Sequence, residues 1–386
     1  MTIYFDYNAT APLRPEARAA WLAATGEAWG NAASVHAAGQ TAAGLLEAAR
    51  RELAGRLQCE AGELTFNSGA TEGANHVLHA VLAAGGHAIV SAIEHHAVLE
   101  PAQALARRGQ VAVDFVRPGA DGRVDPAALT ARLRPDTRLV ALMAVNNETG
   151  VIQDVPALAA ALAVWNAAHP AADGSGGLVG LLCDATQAAG KIDPAQFAGA
   201  DWVVLSGHKF GAPKGVGALI ARRTLPALFA GGNAEGGLRA GTVAVELAAA
   251  LAAAFAAAEH DRAQETERLA ALRDWLESGL AVAADAAGLT VTVAGAAAPR
   301  VSNTSFVCFP GRRAETLVMN FDLAGLCTST GAACVQGAAQ PSHVLQAMGL
   351  PPEQIAGAVR FSLGSASTEA DVDRAVAIVR QVLGRA

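Results

Sequence analysis

Residues 178–220 read LVGLLCDATQAAGKIDPAQFAGADWVVLSGHKFGAPKGVGALI, and three short apolar runs divide this stretch. The runs are Leu178–Cys183, Trp202–Leu205 and Val216–Ile220. Short apolar runs bounded by polar residues or glycine are typical of strands that are buried on both faces of a sheet. Reactive polar residues, among them Asp184 and Ser206, follow the first two runs directly. We therefore predict neighbouring strands with a ligand site at their carboxyl ends.

The same pattern continues on the N-terminal side of this stretch. Apolar runs at Ala88–Ser91 and Leu139–Val145 predict two more strands, and Pro156–Ala168 has a helical pattern. Ser34 is the expected N-cap of an earlier helix that runs to about Leu57. Strands that alternate with helices indicate an α/β protein with a mostly parallel sheet covered on both faces.

On the C-terminal side, an alanine-rich helix is predicted from near Val245 to beyond Leu272, where it would connect two domains. Two predicted strands, Leu289–Val293 and Asn303–Cys308, and further helical stretches follow it. Residues 167–177 are rich in proline, glycine and serine, which predicts a surface loop.

The composition excludes several classes of protein. The 386 residues are 52% hydrophobic, as in a globular chain, and their net charge of −7 argues against nucleic-acid binding. The longest apolar run, residues 247–258, is too short to span a bilayer. Five cysteines without a CxxC pair disfavour a disulfide framework and a zinc site, and no basic apolar leader follows Met1. We therefore expect a cytoplasmic protein without a bound metal or a membrane anchor.

Lysine is scarce, since only Lys191, Lys209 and Lys214 contribute to the 28 basic residues. Lys209 directly follows a predicted strand, close to Ser206 and His208, which can bind an anion. A desolvated lysine at the ligand end of a sheet can lose its proton and form a Schiff base. Lys191 and Lys214 lack such a setting, and we interpret both as surface or loop residues.

A phosphate site is predicted at residues 67–73 (NSGATEG). Small residues before a helix leave backbone N–H groups free for an anion, although a helix with Thr71 as an ordinary N-cap would give the same pattern. Asp184 follows a buried run and needs a partner for its charge, unless it is also a helix N-cap. The pyridinium nitrogen of pyridoxal phosphate could be that partner. Together with Lys209, these features describe a pyridoxal-phosphate enzyme.

Ordered motifs over residues 4–373 then carry a resemblance to a known family. They are YFDYNATAP (4–12), GNAASVHAAG (30–39), FNSGATEGAN (66–75), EHHAVLE (94–100), NNETGVIQ (146–153), CDATQAAGK (183–191), SGHKFGAPKGVGAL (206–219), RAGT (239–242), STGAAC (329–334), PSHVLQAMG (341–349) and VRFSLG (359–364). The chain resembles the NifS/IscS-like cysteine desulfurases, in the class V aminotransferase group of fold-type I pyridoxal-phosphate enzymes. The resemblance implies a large cofactor-binding domain over residues 12–250 and a smaller α+β domain over residues 251–386 together with residues 1–11.

The resemblance implies a role for each matching residue. Lys209 would bind the cofactor as a Schiff base and move the substrate's Cα proton, while His95 would stack on the cofactor ring. Asp184 would keep the ring nitrogen protonated, and Gln187 would hydrogen-bond the phenolic oxygen. The remaining implied contacts are Ala70, Thr71, Ser206, His208 and the neighbouring subunit's Thr242 at the phosphate, Asn147 at the cofactor and the substrate carboxylate, and Arg360 at that carboxylate.

Cys334 matches the nucleophile of the family, in a small and polar stretch that we expect to be a mobile loop. The implied reaction converts L-cysteine to L-alanine and leaves the sulfur on Cys334 as a persulfide, for an acceptor protein in the biosynthesis of iron–sulfur clusters, other cofactors or tRNA. His95 is a candidate base for the Cys334 thiol. We expect no disulfide between Cys327 and Cys334, and we interpret the remaining cysteines as apolar fillers: Cys59, Cys183 and Cys308.

Other interpretations remain open. A selenocysteine lyase or another class V aminotransferase-type enzyme would share the cofactor site, although transamination needs no thiol such as that of Cys334. A non-catalytic scaffold would need none of the matching residues. Residues 231–237 (GGNAEGG) depart from the family at Ala234 and Gly236, at a subunit contact of the expected homodimer. The chain ends at Ala386 without the extension that docks the scaffold protein in IscS-type members, so the sulfur acceptor stays open.

Overall fold

The computed structural model describes residues 2–170, 178–331, 334–335, 338–339 and 341–384, with only the backbone described at residues 334, 335, 338 and 339. The loop predicted at residues 167–177 therefore lies mostly outside the described residues. The strands of the described part are β1 Ile3–Tyr4, β2 Leu64–Asn67, β3 Gly86–Ser91, β4 Val111–Val116, β5 Thr137–Ala141, β6 Gly180–Asp184, β7 Trp202–Ser206, β8 Gly217–Ala221, β9 Thr292–Val293, β10 Thr304–Cys308, β11 Leu326–Cys327, β12 Cys334–Val335, β13 Ala338–Ala339 and β14 Ala358–Ser362. The α-helices are α1 Pro15–Glu27, α2 Ala37–Arg56, α3 Ala70–Val81, α4 His96–Arg107, α5 Pro126–Thr130, α6 Val155–Ala168, α7 Val245–Asp285, α8 Ala314–Leu323, α9 His343–Ala347, α10 Pro352–Ala356 and α11 Glu369–Leu383.

A seven-stranded sheet organises the larger part of the chain, in the order β2-β8-β7-β6-β5-β3-β4. The strands from β7 to β4 in this order are parallel, whereas β8 pairs antiparallel with both β7 and β2. The predicted mostly parallel sheet is therefore confirmed. Because β2 also runs in the direction of β7, the carboxyl ends of β2, β3, β6 and β7 meet at one edge of the sheet.

Alternation along the strands assigns each apolar side chain to one face of this sheet. Ile89, Val140 and Val203 pack with α2, α6 and the first part of α7, whereas Val90 and Val204 pack with α3 and α4 on the other face. Helices thus cover both faces, which is why the strands read as continuous apolar runs in the sequence.

A second core lies around β10 and β14 and includes Phe5, Phe321 and Phe361. Helix α7 joins the two cores, because its residues up to Ala258 pack on the large sheet and those from Leu269 onward pack in the second core. The alanine-rich helix predicted from Val245 is thus present. The domain boundary predicted at residue 250 falls inside this helix, and the division into two domains stays a prediction.

Three details of the predicted elements are wrong. Helix α2 begins at Ala37 with His36 as its N-cap, since the His36 ring nitrogen Nδ1 accepts from the N–H of Gly39. Strand β5 ends at Ala141, where the chain leaves β3 but stays hydrogen-bonded to β6. The predicted strand from Leu289 is reduced to Thr292–Val293, because the N–H of Leu289 still donates to the last turn of α7.

The segment that departs from the family is tied to the large sheet by Glu235. Its buried carboxylate accepts two hydrogen bonds from Arg50, at 2.6 and 2.8 Å, and one from the N–H of Phe66 at 2.8 Å. Gly236 has a φ of +65°, a conformation that glycine adopts far more readily than a residue with a side chain. Glycine at position 236 therefore fits the path of this segment.

Within the described ranges, no helix is long and apolar enough to cross a membrane. The same residues contain no group of three or more histidine, cysteine, aspartate or glutamate side chains that could hold a metal ion.

Candidate active site

A cavity of about 350 Å³ opens at the edge of the sheet where the carboxyl ends of the parallel strands meet. The predicted site residues that line it are Ala70, Thr71, His95, Asn147, Asp184, Gln187, Ser206, His208, Lys209 and Arg360. They come from six segments far apart in the sequence, and the fold brings them around one space. Their individual roles stay predictions.

Lys209 lies in a short 3₁₀ turn directly after β7. Its Nζ donates to the backbone carbonyls of Asn8 and Ala9, at 2.8 and 2.9 Å. Burial, and next the nearby Arg360 guanidinium, lower the pKa of Lys209 from 10.5 to about 8. About a tenth of this amine is therefore uncharged at pH 7 and more at higher pH, and the uncharged amine is the form that makes a Schiff base.

Asp184 and His95 lie on the part of the cavity wall where the cofactor ring is expected. Asp184 ends β6 and is 5% exposed, and its Oδ1 accepts from the N–H of Thr186 at 2.9 Å. The alternative that Asp184 is a helix N-cap is wrong, because a turn follows β6 and not a helix. The described residues form no ion pair with this carboxylate, so its charge is available for a bound cation.

The ring of His95 is held in one orientation at the start of α4. Its Nδ1 accepts from the N–H of Ala97 at 3.1 Å, so the hydrogen of the neutral ring is on Nε2. Burial lowers the pKa of His95, which keeps the ring neutral near pH 7. The ring therefore presents an N–H donor to its surroundings.

The predicted phosphate site lies at the start of α3. Gly69 is the N-cap and offers no side chain, so the alternative with Thr71 as N-cap is wrong, and Thr71 is exposed in the first turn. The N–H of Ala70 donates to Ser206 Oγ at 2.8 Å. Gly69 has a φ of +144°, and a Cβ there would lie 3.0 Å from Ser206 Oγ. Burial lowers the pKa of His208 to about 4, so this side chain is a neutral hydrogen-bonding group.

Arg360 projects from β14, and its guanidinium is fixed by two contacts. Nη1 donates to the carbonyl of Asn147 at 3.0 Å, and Nη2 donates to Asp6 Oδ1 at 2.8 Å. The nearby Asp6 was not predicted, because its contact with Arg360 joins positions 354 residues apart.

Several buried polar atoms on residues of the cavity wall have no partner among the described residues, namely Arg360 Nε, Asn147 Oδ1 and Thr186 Oγ1. Buried polar groups in folded proteins are nearly always hydrogen-bonded, so these atoms suit a polar ligand in the cavity. Together with the lowered pKa of Lys209, the helix start at α3 and Asp184, which has no ion-pair partner among the described residues, they fit pyridoxal phosphate and an amino-acid substrate.

Of the other two predicted residues, only Thr242 can be placed relative to this cavity. Thr242 is exposed and lines a separate hollow beside Arg50 and Glu235. Its expected role in the partner's phosphate site stays a prediction. The side chain of Cys334 lies outside the described residues, and only its backbone is described, in β12 paired with β13.

Lys191 lies in a turn, in agreement with the interpretation as a surface or loop residue, but its side chain is not a free surface group. Lys191 is partly buried, and burial lowers its pKa to about 7. Its Nζ contacts Gln187 and Asn8, which both line the cavity. Gln187 and Lys191 are four positions apart in the sequence, and residues at this spacing share one side of a helical turn. The spacing is therefore a signal that the two side chains are in contact. Lys214 is exposed, as predicted.

The other cysteines are poor nucleophiles. Burial raises the pKa of Cys59 and of Cys308 to about 11 and also raises those of Cys183 and Cys327. Cys183 and Cys308 are buried, as predicted for apolar fillers, whereas Cys59 and Cys327 are partly exposed. Because the thiolate is the reactive form, none of these four suits sulfur transfer.

Comparisons with known proteins identify the family of this chain. Residues 3–375 match the model of the class-V aminotransferase family. The chain is 38% identical to a cysteine desulfurase of Gluconacetobacter diazotrophicus, over 99% of this chain and 94% of the relative. A solved NifS-like protein has a TM-score of 0.89 at 30% identity, with both chains covered completely. SspA, solved in complex with cysteine, has a TM-score of 0.76 at 26% identity, over 94% of this chain and 99% of SspA. The chain therefore belongs to the class-V aminotransferase family, among its NifS-like cysteine desulfurases.

Proposed function

We propose that this chain uses pyridoxal phosphate to convert L-cysteine to L-alanine and transfers the sulfur to Cys334 as a persulfide. One observation supports this function above all: an amine of lowered pKa, an unpaired carboxylate and an arginine line the same cavity. The relatives named cysteine desulfurase and the cysteine complex of SspA support the choice of substrate.

Different residues of this chain would bind different parts of the cofactor. Lys209 would hold its aldehyde carbon, Asp184 its ring nitrogen and Gln187 its phenolic oxygen. Ser206, His208 and the start of α3, with Ala70 and Thr71, would hold its phosphate. When bound, pyridoxal phosphate supplies an electron sink for the carbanion at the substrate's Cα.

Arg360 and Asn147, which line the same cavity, would hold the substrate carboxylate. A guanidinium can bind a carboxylate through two parallel hydrogen bonds, which fixes the amino acid's orientation as well as its position. Asp6 and the carbonyl of Asn147 hold Arg360 in place before substrate arrives. Lys209, once released to the amine form, would be the base that removes the Cα proton, because its pKa lies near neutral pH.

His95 is a less suitable base for the Cys334 thiol than the resemblance implies. His95 is neutral, but its Nδ1 already accepts from Ala97 and its Nε2 carries the hydrogen. In this orientation His95 suits ring stacking and proton donation better than removal of a thiol proton. We therefore assign His95 to the cofactor ring and keep Cys334 as the sulfur nucleophile.

The proposed subunit arrangement and acceptor follow from the same family. We propose a cytoplasmic homodimer in which Thr242 completes the partner's phosphate site, and an acceptor that is an iron–sulfur scaffold or another sulfur carrier. Thr242 is exposed and lies outside the cavity of its own chain, which supports this arrangement. Trapping the Cys334 persulfide and adding candidate carriers one at a time would identify the acceptor by its discharge.

The pKa of Lys209 predicts how cofactor loading depends on pH. Only the uncharged amine attacks an aldehyde, and a pKa lowered from 10.5 to about 8 makes this form abundant above pH 8. The initial rate at which the cofactor-free protein forms a Schiff base with added pyridoxal phosphate should rise about tenfold per pH unit below that pKa and then level off. Stopped-flow absorbance measures the rate, and a profile that still rises steeply up to pH 10 contradicts the assignment.

The proposed function is tested with purified protein, pyridoxal phosphate, L-cysteine and a thiol reductant. Alanine and sulfide should form in equal amounts, and labelling without reductant should detect a persulfide on Cys334. Selenocysteine as the only substrate turned over would favour a selenocysteine lyase. A keto acid as product would favour a transaminase, and no cofactor absorbance after loading would favour a scaffold.

A further inference from the structure

Lys191 makes contacts for which the proposed reaction assigns no role. Its Nζ donates to Gln187 Oε1 at 2.6 Å and to Asn8 Oδ1 at 3.1 Å. Lys191 lines a second cavity and not the one that holds the predicted site, whereas Lys209 lines both. Lys191 therefore contacts two residues of the active-site wall without lining that cavity itself.

The carboxamide of Gln187 is held at both of its ends. Its oxygen accepts from Lys191, and its nitrogen donates to the backbone carbonyl of Asn8 at 2.9 Å. A lysine amine donates N–H bonds in either charge state, and a carbonyl only accepts, so these neighbours assign the oxygen and nitrogen of the amide. The nitrogen carries two N–H bonds, and Asn8 takes one of them. The other is available to a ligand in the cavity, where Gln187 is only 3% exposed.

Lys191 also donates a hydrogen bond to Asn8, the residue whose backbone carbonyl accepts from the catalytic lysine Lys209. The side-chain oxygen of Asn8 accepts from Lys191 and from Asn303, and its side-chain nitrogen donates to Thr304 and to the carbonyl of Asn147. The backbone carbonyl of Asn8 accepts from Lys209. Removing Lys191 would leave the amide oxygen of Gln187 without its donor in a buried place, whereas Asn8 would keep its other partners.

We propose that Lys191 is a positioning residue, which holds the Gln187 carboxamide so that its free N–H faces the phenolic oxygen of pyridoxal phosphate. This inference rests on the proposed function, in which Gln187 contacts that oxygen. A donor aimed at a negatively charged oxygen stabilises the state in which that charge is greatest. That state is the one in which the nitrogen joining Lys209 to the cofactor has lost its proton. Losing the donor therefore makes this proton harder to remove.

The test measures the visible absorbance of the loaded full-length protein against pH, without substrate. Lys191→Met should raise the midpoint of this titration on the order of one pH unit. Lys191→Arg, which can still donate to both oxygens, should keep the midpoint near that of the wild type. Lys214→Met is the matched control, because Lys214 is exposed, and it should leave the midpoint unchanged.

A double-mutant cycle separates positioning from a general electrostatic effect. Gln187→Ala alone should raise the midpoint, and adding Lys191→Met to it should cause no further shift. The cationic neighbours of Lys191, Lys209 and Arg360, are unchanged in every variant. The other titratable residues that line the same cavity are also unchanged: Tyr7, Arg14, Arg262 and Glu265. A difference between variants therefore reports the loss of Lys191 itself.

Two results would overturn the inference. One is a wild-type midpoint in Lys191→Met, and the other is an undiminished shift when Lys191→Met is added to Gln187→Ala. If the methionine variant does not fold, Lys191→Gln carries the same comparison, because its amide can accept as well as donate and no longer fixes Gln187. Failure of the wild-type protein to take up pyridoxal phosphate would contradict the proposed function instead.

Discussion

Replacing Lys209 by alanine should lower the rate of alanine formation from L-cysteine on the order of 1,000-fold or more. The substitution removes the amine that would hold the cofactor covalently and the base that would take the Cα proton. Borohydride reduction followed by peptide mass spectrometry should find a cofactor adduct on Lys209 in the wild type. The same peptide of the variant should carry none.

Lys209→Arg separates chemistry from folding in this experiment. An arginine can still donate to the carbonyls of Asn8 and Ala9, which Lys209 contacts, but it stays charged and forms no Schiff base. It should therefore be as inactive as Lys209→Ala while unfolding at a temperature close to that of the wild type. Lys214→Ala should retain full activity. Substantial turnover by Lys209→Arg would show that another group is the catalytic amine.

Replacing Cys334 by alanine should abolish the persulfide and lower sulfide release on the order of 1,000-fold, while the absorbance of the bound cofactor persists. The expected loss is this large because no described cysteine can substitute for it. Burial raises the pKa of the four others, so each is a thiol and not a thiolate near neutral pH. Sulfide release and persulfide labelling measure the two effects on the same sample.

Cys327→Ala is the matched control for this prediction. Cys327 is partly exposed and lies close to Cys334 in the sequence, and its sulfur is 3.8 Å from Asp322 Oδ1. The variant should release sulfide at the wild-type rate. Sulfide release by Cys334→Ala at an unchanged rate would contradict the assignment of Cys334 as the nucleophile.

The strand ends of the large sheet could be predicted because their signals are local. An apolar run followed by a polar group identifies a buried strand and its carboxyl end without any knowledge of the neighbours, which is how Asp184 and Lys209 were found. The phosphate segment could be located in the same way, but its details could not. Gly69 and not Thr71 is the N-cap of α3, and the chain there passes within contact distance of Ser206 on another strand.

The setting of Lys191 shows where local signals end. Its residue type and its turn would be the same at the solvent-exposed surface and in a buried network, and the sequence alone predicts only a surface or loop residue. Its burial depends on Asn8, a residue 183 positions away that is itself held by Ser362 and Asn303 from the other end of the chain. The pKa of Lys209 likewise depends on Arg360, which belongs to β14.

The amino-acid sequence alone was enough for a mostly parallel sheet with helices on both faces and for the residues that follow several of its strands, because periodicity and residue order carry that information. It did not indicate strand β4 or the antiparallel pairing of β8. The tertiary structure decided which groups are buried, which donor meets the oxygen of an amide, and which lysines have a lowered pKa. Burial and electrostatics act through space, between segments hundreds of residues apart. No spacing along the chain records them.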